Sequence, residues 1–216
     1  MRVLDICCGA GGASAGYVEA GFEVVGWDLE PHPTYPWEFH LGDGLEVLAD
    51  VDYVQTFDLV HMSWPCQKFS TATADRDRHP DLITPGRELV LKTGVPYIME
   101  NVPQAPLIDP VRLCGSSFGL KVRRHRAFES SLPLAGSVCD HAAQGQPVGV
   151  YGDHFDTREY FRPDGTRRGG KATSMEEAYE AMGGLRWMSW LDLKEAIPSQ
   201  YTAFLGRQAC DLMVLL

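Results

Sequence analysis

The sequence predicts an α/β protein whose mostly parallel sheet carries helices on both faces. Short β-rich apolar runs alternate with helix-forming stretches, and the first run ends in a glycine turn that leads directly into a helix. Polar residues also cluster where the predicted strands end. In sheets of this kind ligands sit outside the carboxyl ends of the strands, so four separated segments would converge on one crevice.

Residues 3–6 form the first predicted strand, followed by Cys7-Cys8-Gly9-Ala10-Gly11-Gly12 and a helix over residues 13–20 that closes at Gly21. Residues 22–27 supply a second strand ending at Asp28, and residues 58–62 and 96–99 supply two more buried-looking runs. From about residue 131 to 173 the chain is rich in Gly, Pro, Asp, His and Arg without a helical period, which predicts a small loop-rich insertion. Ser174-Met175-Glu176-Glu177 carries a capping-box pattern and starts a short helix that runs to about Met182, before Gly183-Gly184. A last helix follows Pro198, with Tyr201, Phe204, Leu205, Gln208, Leu212 and Met213 on one apolar face. The organisation is therefore a core over residues 1–130, the insertion over 131–173 and C-terminal helices over 174–216.

At 216 residues the chain buries enough surface to fold without disulfides or metals, and its composition excludes disordered, collagen-like and low-complexity classes. Nineteen basic against 29 acidic residues, net −10, argue against nucleic acid unless a local patch binds it. No apolar run approaches the ~20 residues of a membrane span, and the start leads into a strand rather than a signal peptide; a cytoplasmic protein is expected. The six cysteines form no C-x-x-C pair, so reduced thiols are expected.

Glycines after a strand let backbone approach a ligand, and an acid ending the next strand, Asp28, can accept from both hydroxyls of a ribose. Gly42-Asp43-Gly44 offers a second acid, although it also reads as an ordinary turn. Pro65-Cys66 follows a strand and would present a thiol to the crevice, while Glu100-Asn101 follows another and would present a carboxyl group. Taken alone the cysteine reads as a small buried hydrophobe; beside an acid it suggests covalent addition assisted by protonation. Residues 121–126 are the densest basic cluster, with Arg124 and Arg126 expected on one side of a strand to grip a phosphate and a base. A second basic segment includes Arg158, Arg162, Arg167, Arg168 and Lys171. Cys114, Cys139 and His141 have a poor spacing for zinc, so no metal is expected. The tryptophans near the C-terminus, Trp187 and Trp190, are expected to pack the last helices.

Together these segments resemble the DNA cytosine-C5 methyltransferases, and in particular compact, phage-type members. Asp5 to Gly12 resembles the D-x-x-x-G-x-G-G loop, Ser63-Trp64-Pro65-Cys66-Gln67 the Pro-Cys-Gln loop, Glu100-Asn101-Val102 the Glu-Asn-Val motif, and residues 122–126 the Q-x-R-x-R strand. The resemblance implies a Rossmann-like methyltransferase fold, S-adenosylmethionine as cofactor, DNA as partner and a monomer, with a protein partner left open. It places the cofactor on Asp5, Cys7, Gly9, Ala10, Gly11, Gly12, Asp28, Leu29, Asp43, Gly44 and Pro65. Cys66, Glu100, Arg124, Arg126 and Asn101 become catalytic, with Asn101 bracing the Cys66 loop, and Lys121, Arg123, Arg167, Arg168 and Lys171 bind DNA.

The sequence departs from the family at Trp64, which is expected to reshape the base pocket or its lid, and at Val122, which replaces the glutamine. The late Gly-Asn-x-Val motif is missing, and only residues 131–173 remain for target recognition. A site of a few bases is expected. The same covalent chemistry on tRNA or a free pyrimidine nucleotide, a donor derived from S-adenosylmethionine, and a catalytically idle DNA-binding relative stay open.

Overall fold

The computed structural model describes residues 1–155 and 170–215. Five parallel strands form most of a seven-stranded sheet: β1 (Arg2–Ile6), β2 (Glu23–Asp28), β3 (Glu38–Leu41), β4 (Leu59–Ser63) and β5 (Tyr97–Asn101). The edge strand β6 (Val111–Leu113) and the penultimate β7 (Arg126–Ser130) complete the order β3-β2-β1-β4-β5-β7-β6, with β7 antiparallel to both neighbours. The four predicted strands are present. β3 and β6 were not expected, being too short and too polar to show as apolar runs.

Side chains alternate between two cores because successive strand residues face opposite sides of the sheet. Val3, Leu59 and Ile98 face α1 (Gly12–Glu19), whereas Leu4, Ile6, Val60, Met62 and Met99 face α2 (Gly44–Ala49), α3 (Val51–Val54) and α4 (Ile83–Thr93). Burial on both faces explains why these strands read as continuous apolar runs.

The first core also holds α6 (Met175–Ala181), α7 (Trp190–Glu195) and α8 (Ser199–Val214), together with Leu132, Leu134, Val150 and Ala172. α1 lies directly against α8, which its small residues permit. A Cβ on Gly16 would stand 2.0 Å from the Ser199 carbonyl oxygen, so Gly16 serves helix packing and not the glycine turn. Thr202 ties the two elements by donating to the Ala13 carbonyl at 2.7 Å. Ser174 caps α6 as expected, but Glu177 turns to the backbone and hydroxyl of Thr173, so the reciprocal capping box is not formed there. It forms on α7, between Ser189 and Asp192. Among the described residues no helix is long and apolar enough to cross a membrane.

Candidate active site

The turn after β1 passes through left-handed backbone at Cys7, Gly9 and Gly11, with φ of 56°, 52° and 89°. Space above Gly9 is open, since a Cβ there would meet nothing within 4 Å. Space above Gly11 is not: a Cβ would lie 2.8 Å from the Trp37 ring, so glycine is required for that close approach. Asp28 holds the turn, accepting from the Gly9 N–H at 2.9 Å and from the Glu30 N–H at 3.0 Å. Each carboxylate oxygen keeps accepting capacity for a ligand. Leu29 beside it is 67% exposed, an apolar side chain left uncovered at the rim.

Asp5 is fully buried below the turn, where one oxygen accepts from the Ser14 hydroxyl and Ser14 in turn meets the Tyr35 hydroxyl. Its Oδ1 has no partner, and burial pushes its carboxyl up to about 7. Burial likewise raises the Cys7 and Cys8 thiols, with Asp28 and Asp5 adding to it, so neither is a ready nucleophile. Ala10 spends its carbonyl on the Trp187 indole N–H at 2.8 Å, and Gly12 packs against Ile197. Asp43 caps α2 by accepting from Leu45 N–H at 2.8 Å, and Gly44 lies against Ile6 and Trp64. Thus Leu29 and Gly9 face open space with the Asp28 carboxylate mostly buried beside them, whereas Asp5, Ala10, Gly12 and Gly44 build the wall behind.

The second half of the crevice lies at the ends of β4 and β5, where Ser63 pairs with Glu100. Pro65 is exposed and Cys66 partly buried on the loop after β4. Asn101 donates to the Trp64 carbonyl at 2.9 Å, a bond to the loop that carries Cys66. Trp64 turns away from the crevice into the core between Gly44 and Gly86, which corrects the expectation that it reshapes the base pocket. Burial raises the Cys66 thiol above its ordinary value; Arg126 pulls it down and Glu100 pushes it up. Glu100 is itself buried. Burial pushes its carboxyl up to about 7 against the opposing charges of Arg126 and Arg124. Arg126 Nε stands 2.9 Å from Glu100 Oε1, an ion-pair distance, yet without hydrogen-bond alignment, so Oε1 is a buried acceptor without a partner.

Arg124 is not where the sequence expectation put it. Its backbone is left-handed, with φ of 34°, so the strand begins only at Arg126 and the two arginines do not alternate along it. Its guanidinium donates to the carbonyls of Val150 at 2.7 Å, Lys194 at 2.9 Å and Ala196 at 2.5 Å. Arg124 therefore fastens α7 to the sheet edge; Arg126 stands directly beside Glu100, while the charge of Arg124 is still felt there. Lys121 pairs with Glu180 at 2.9 Å, Arg123 donates to Gln144 and Gly145, and Lys171 lies over the rings of Tyr151 and Trp190. Arg158, Arg162, Arg167 and Arg168 fall outside the described residues. A cleft of about 600 Å³ bordered by Arg126, Tyr151 and Lys194 opens on this side.

Three contributors were not expected from the sequence: Tyr35 and Ser14, which brace Asp5, and Trp187, which reaches the glycine turn across the whole chain. None has a local signal, because each contact joins segments distant in sequence. The cysteine and histidine residues set aside as metal ligands also come together, with His125 added to them.

The strand order, the antiparallel β7, the glycine turn after β1 and the cysteine loop after β4 define a Rossmann-like α/β methyltransferase fold. Residues 1–107 match the family model described as C-5 cytosine-specific DNA methylase. Type II methyltransferase M.HgiGI of Herpetosiphon aurantiacus is 33% identical over 120 residues, covering 50% of this chain and 94% of that protein. Type II methyltransferase M.HgiDI of the same organism is 28% identical over 200 residues, covering 75% of this chain; the chain spans 64% of the length of that relative. The chain belongs to the C-5 cytosine-specific DNA methylase family. In fold it is similar to a protein encoded within an E. coli prophage and described as a candidate DNA modification methyltransferase, with a TM-score of 0.68, 14% identity and 99% of each chain covered.

Proposed function

We propose that the chain methylates C5 of cytosine in DNA through a covalent adduct between Cys66 and C6 of a flipped base. The observation that carries this reading is the buried, unpartnered Oε1 of Glu100, held beside Arg126 and close enough to Cys66 to shift its thiol. A carboxyl pushed up to about 7 has a proton to donate near neutral pH, and cytosine N3 is the group that needs one as the ring is attacked. Once its proton has passed to water, the Cys66 thiolate adds to C6, which breaks the C5–C6 double bond and places electron density on C5. Glu100 donates to N3, and Arg126 holds the ring oxygen or the flanking phosphate. Asn101 keeps the Cys66 loop in register. With C5 methylated, loss of the C5 proton to water, return of the N3 proton to Glu100 and expulsion of the Cys66 thiolate complete the cycle. Flipping the base costs a few kcal/mol, offset by contacts in the pocket.

The open space over Gly9, the carboxylate of Asp28 and the exposed Leu29 fit the nucleoside part of S-adenosylmethionine, with Asp43 and Gly44 at the far wall. When bound, S-adenosylmethionine supplies the methyl group as an electrophile. Asp28 would hold its ribose and Leu29 would cover its base.

The test is transfer of labelled methyl from S-adenosylmethionine to DNA, with tRNA and dCMP as competing acceptors. Incorporation into DNA, lost in Cys66→Ala, is expected. DNA carrying 5-fluorocytosine should trap the chain in a denaturant-resistant adduct; absence of a Cys66-dependent adduct on every acceptor overturns the reading.

A further inference from the structure

Cys114, His125 and the Cys139-x-His141 pair come from three separate segments, yet their ligand atoms all lie within 4.8 Å of one another. Cys114 sits just past β6, His125 immediately before β7, Cys139 in the loop beyond β7, and His141 opens the short helix α5 (His141–Gln144). The sulfur of Cys114 is 3.3 Å from His141 Nε2, and the sulfur of Cys139 is 3.4 Å from His125 Nε2. In a tetrahedral site with bonds of about 2.3 Å to sulfur and 2.0 Å to nitrogen, neighbouring S and N atoms stand roughly 3.5 Å apart. The two S···N edges already have that length. The imidazole rings, 5.2 Å apart at 78°, meet at an angle, as two rings aimed at one centre do.

The surroundings suit a thiolate site. The Ser116 hydroxyl lies 3.2 Å from the Cys114 sulfur and accepts the Asp140 N–H at 3.0 Å, so its own hydrogen is free to point at the sulfur. Both cysteines are free thiols. Gaps of ten residues from Cys114 to His125 and thirteen from His125 to Cys139 hide the set from spacing rules, because the β6–β7 pairing, not the local sequence, brings the ligands together.

We propose that these four residues bind one zinc ion as a structural S2N2 site. Four protein ligands close the tetrahedron and leave no position for a substrate, so the metal holds structure and takes no part in the chemistry. What it holds follows from the neighbours. His125 lies between Arg124 and Arg126, and its carbonyl accepts from Arg126 at 3.0 Å. Fixing His125 to Cys114, and both to the turn before α5, sets the start of β7 and with it the arginine beside Glu100. Arg126 is thereby positioned from behind by a metal that it does not touch.

The test uses the full chain purified with zinc present and thiols reduced. One zinc per chain by elemental analysis is expected, and Co2+ exchanged for zinc should show intense tetrahedral ligand-field bands with thiolate charge transfer. Cys139→Ser and His141→Ala should each bind at least tenfold less zinc and lose the Co2+ bands, whereas Cys66→Ser keeps both. Cys139 is exposed, so its substitution leaves the fold intact; circular dichroism checks this. Less than one zinc in ten chains together with no tetrahedral Co2+ spectrum on the native chain overturns the proposal. So does recovery of Cys114 and Cys139 as a disulfide under the same reducing conditions.

Discussion

Two buried glutamates sit on neighbouring strands of the same sheet, each beside an arginine, and they are treated in opposite ways. Glu129 on β7 accepts from Arg87 twice at 2.7 Å, from the Tyr97 hydroxyl at 2.8 Å and from the Ile108 N–H at 2.7 Å. Burial pushes its carboxyl up, but these bonds outweigh it and hold the group below its ordinary value. Glu100 on β5 has one arginine at ion-pair distance, no aligned hydrogen bond on Oε1, and a carboxyl raised to about 7. A satisfied carboxylate holds the sheet edge together. An unsatisfied one is costly to keep buried, and in the proposed reaction the substrate would satisfy it.

The largest expected effects lie at Glu100 and Cys66. Glu100→Gln keeps the shape but removes the acid, and should lower kcat by about 10²–10⁴-fold without loss of thermal stability. Cys66→Ala should abolish turnover. Glu129→Gln should do the reverse. Breaking a buried pair costs about 3 kcal/mol, the low end of the usual range because the Arg87 side chain is still 14% exposed, and kcat per folded molecule should stay within about twofold. A denaturant titration and single-turnover methylation on both variants decide the matter. If Glu129→Gln lost activity as steeply as Glu100→Gln, the division of roles would fail.

The two groups should also tilt stability oppositely with pH. Glu100, raised from 4.5 to about 7, keeps in the folded chain a proton that the unfolded chain releases. Its stabilising contribution is full below about 4.5 and is lost as pH rises through about 7, a swing of up to about 3 kcal/mol. The Tm of Glu100→Gln minus that of the native chain should therefore grow from pH 5 to pH 8. Glu129, held low, contributes above the ordinary carboxylate range and loses that contribution as pH falls through its depressed value. The penalty of Glu129→Gln should shrink on acidification. A common pH trend for both variants would contradict the assigned shifts.

This contrast also marks how far the sequence could be read. The placement of Cys66, Glu100, Asn101 and Asp28 at one end of the sheet was legible, because Asp28, Glu100 and Asn101 close strands, Cys66 lies on the loop after one, and strand ends in a parallel sheet share one crevice. Arg124 was misread: alternation holds only within a strand, and nothing local shows that residue 124 is left-handed and that three carbonyls from distant segments capture its guanidinium. Trp64 was misread for the same reason, since the glycines that admit it, Gly44 and Gly86, lie about twenty residues away on either side. Cys114, Cys139 and His141 were set aside and His125 was missed, because the four meet through strand pairing and not at a zinc-ligand spacing. Glu129 carried no signal at all, being one acid within a short strand until Arg87 and Tyr97 surround it.

Tyr97→Phe gives the smallest and most discriminating of these effects. Tyr97 lies on β5 three residues before Glu100, and its hydroxyl supplies one of the four hydrogen bonds to Glu129. Deleting it leaves Arg87 and the Ile108 N–H in place, so stability should fall by about 1 kcal/mol. The Glu129 carboxyl should rise toward its ordinary value, and the acid transition of the protein should begin at a slightly higher pH. Glu100 should not respond, because alternation sends Tyr97 and Glu100 to opposite faces of β5. The KM for DNA and the single-turnover rate of Tyr97→Phe are then expected to match the native chain. A drop in that rate beyond about twofold would mean that the satisfied glutamate sets the position of β5 for the unsatisfied one, and the two regions would act as a single device.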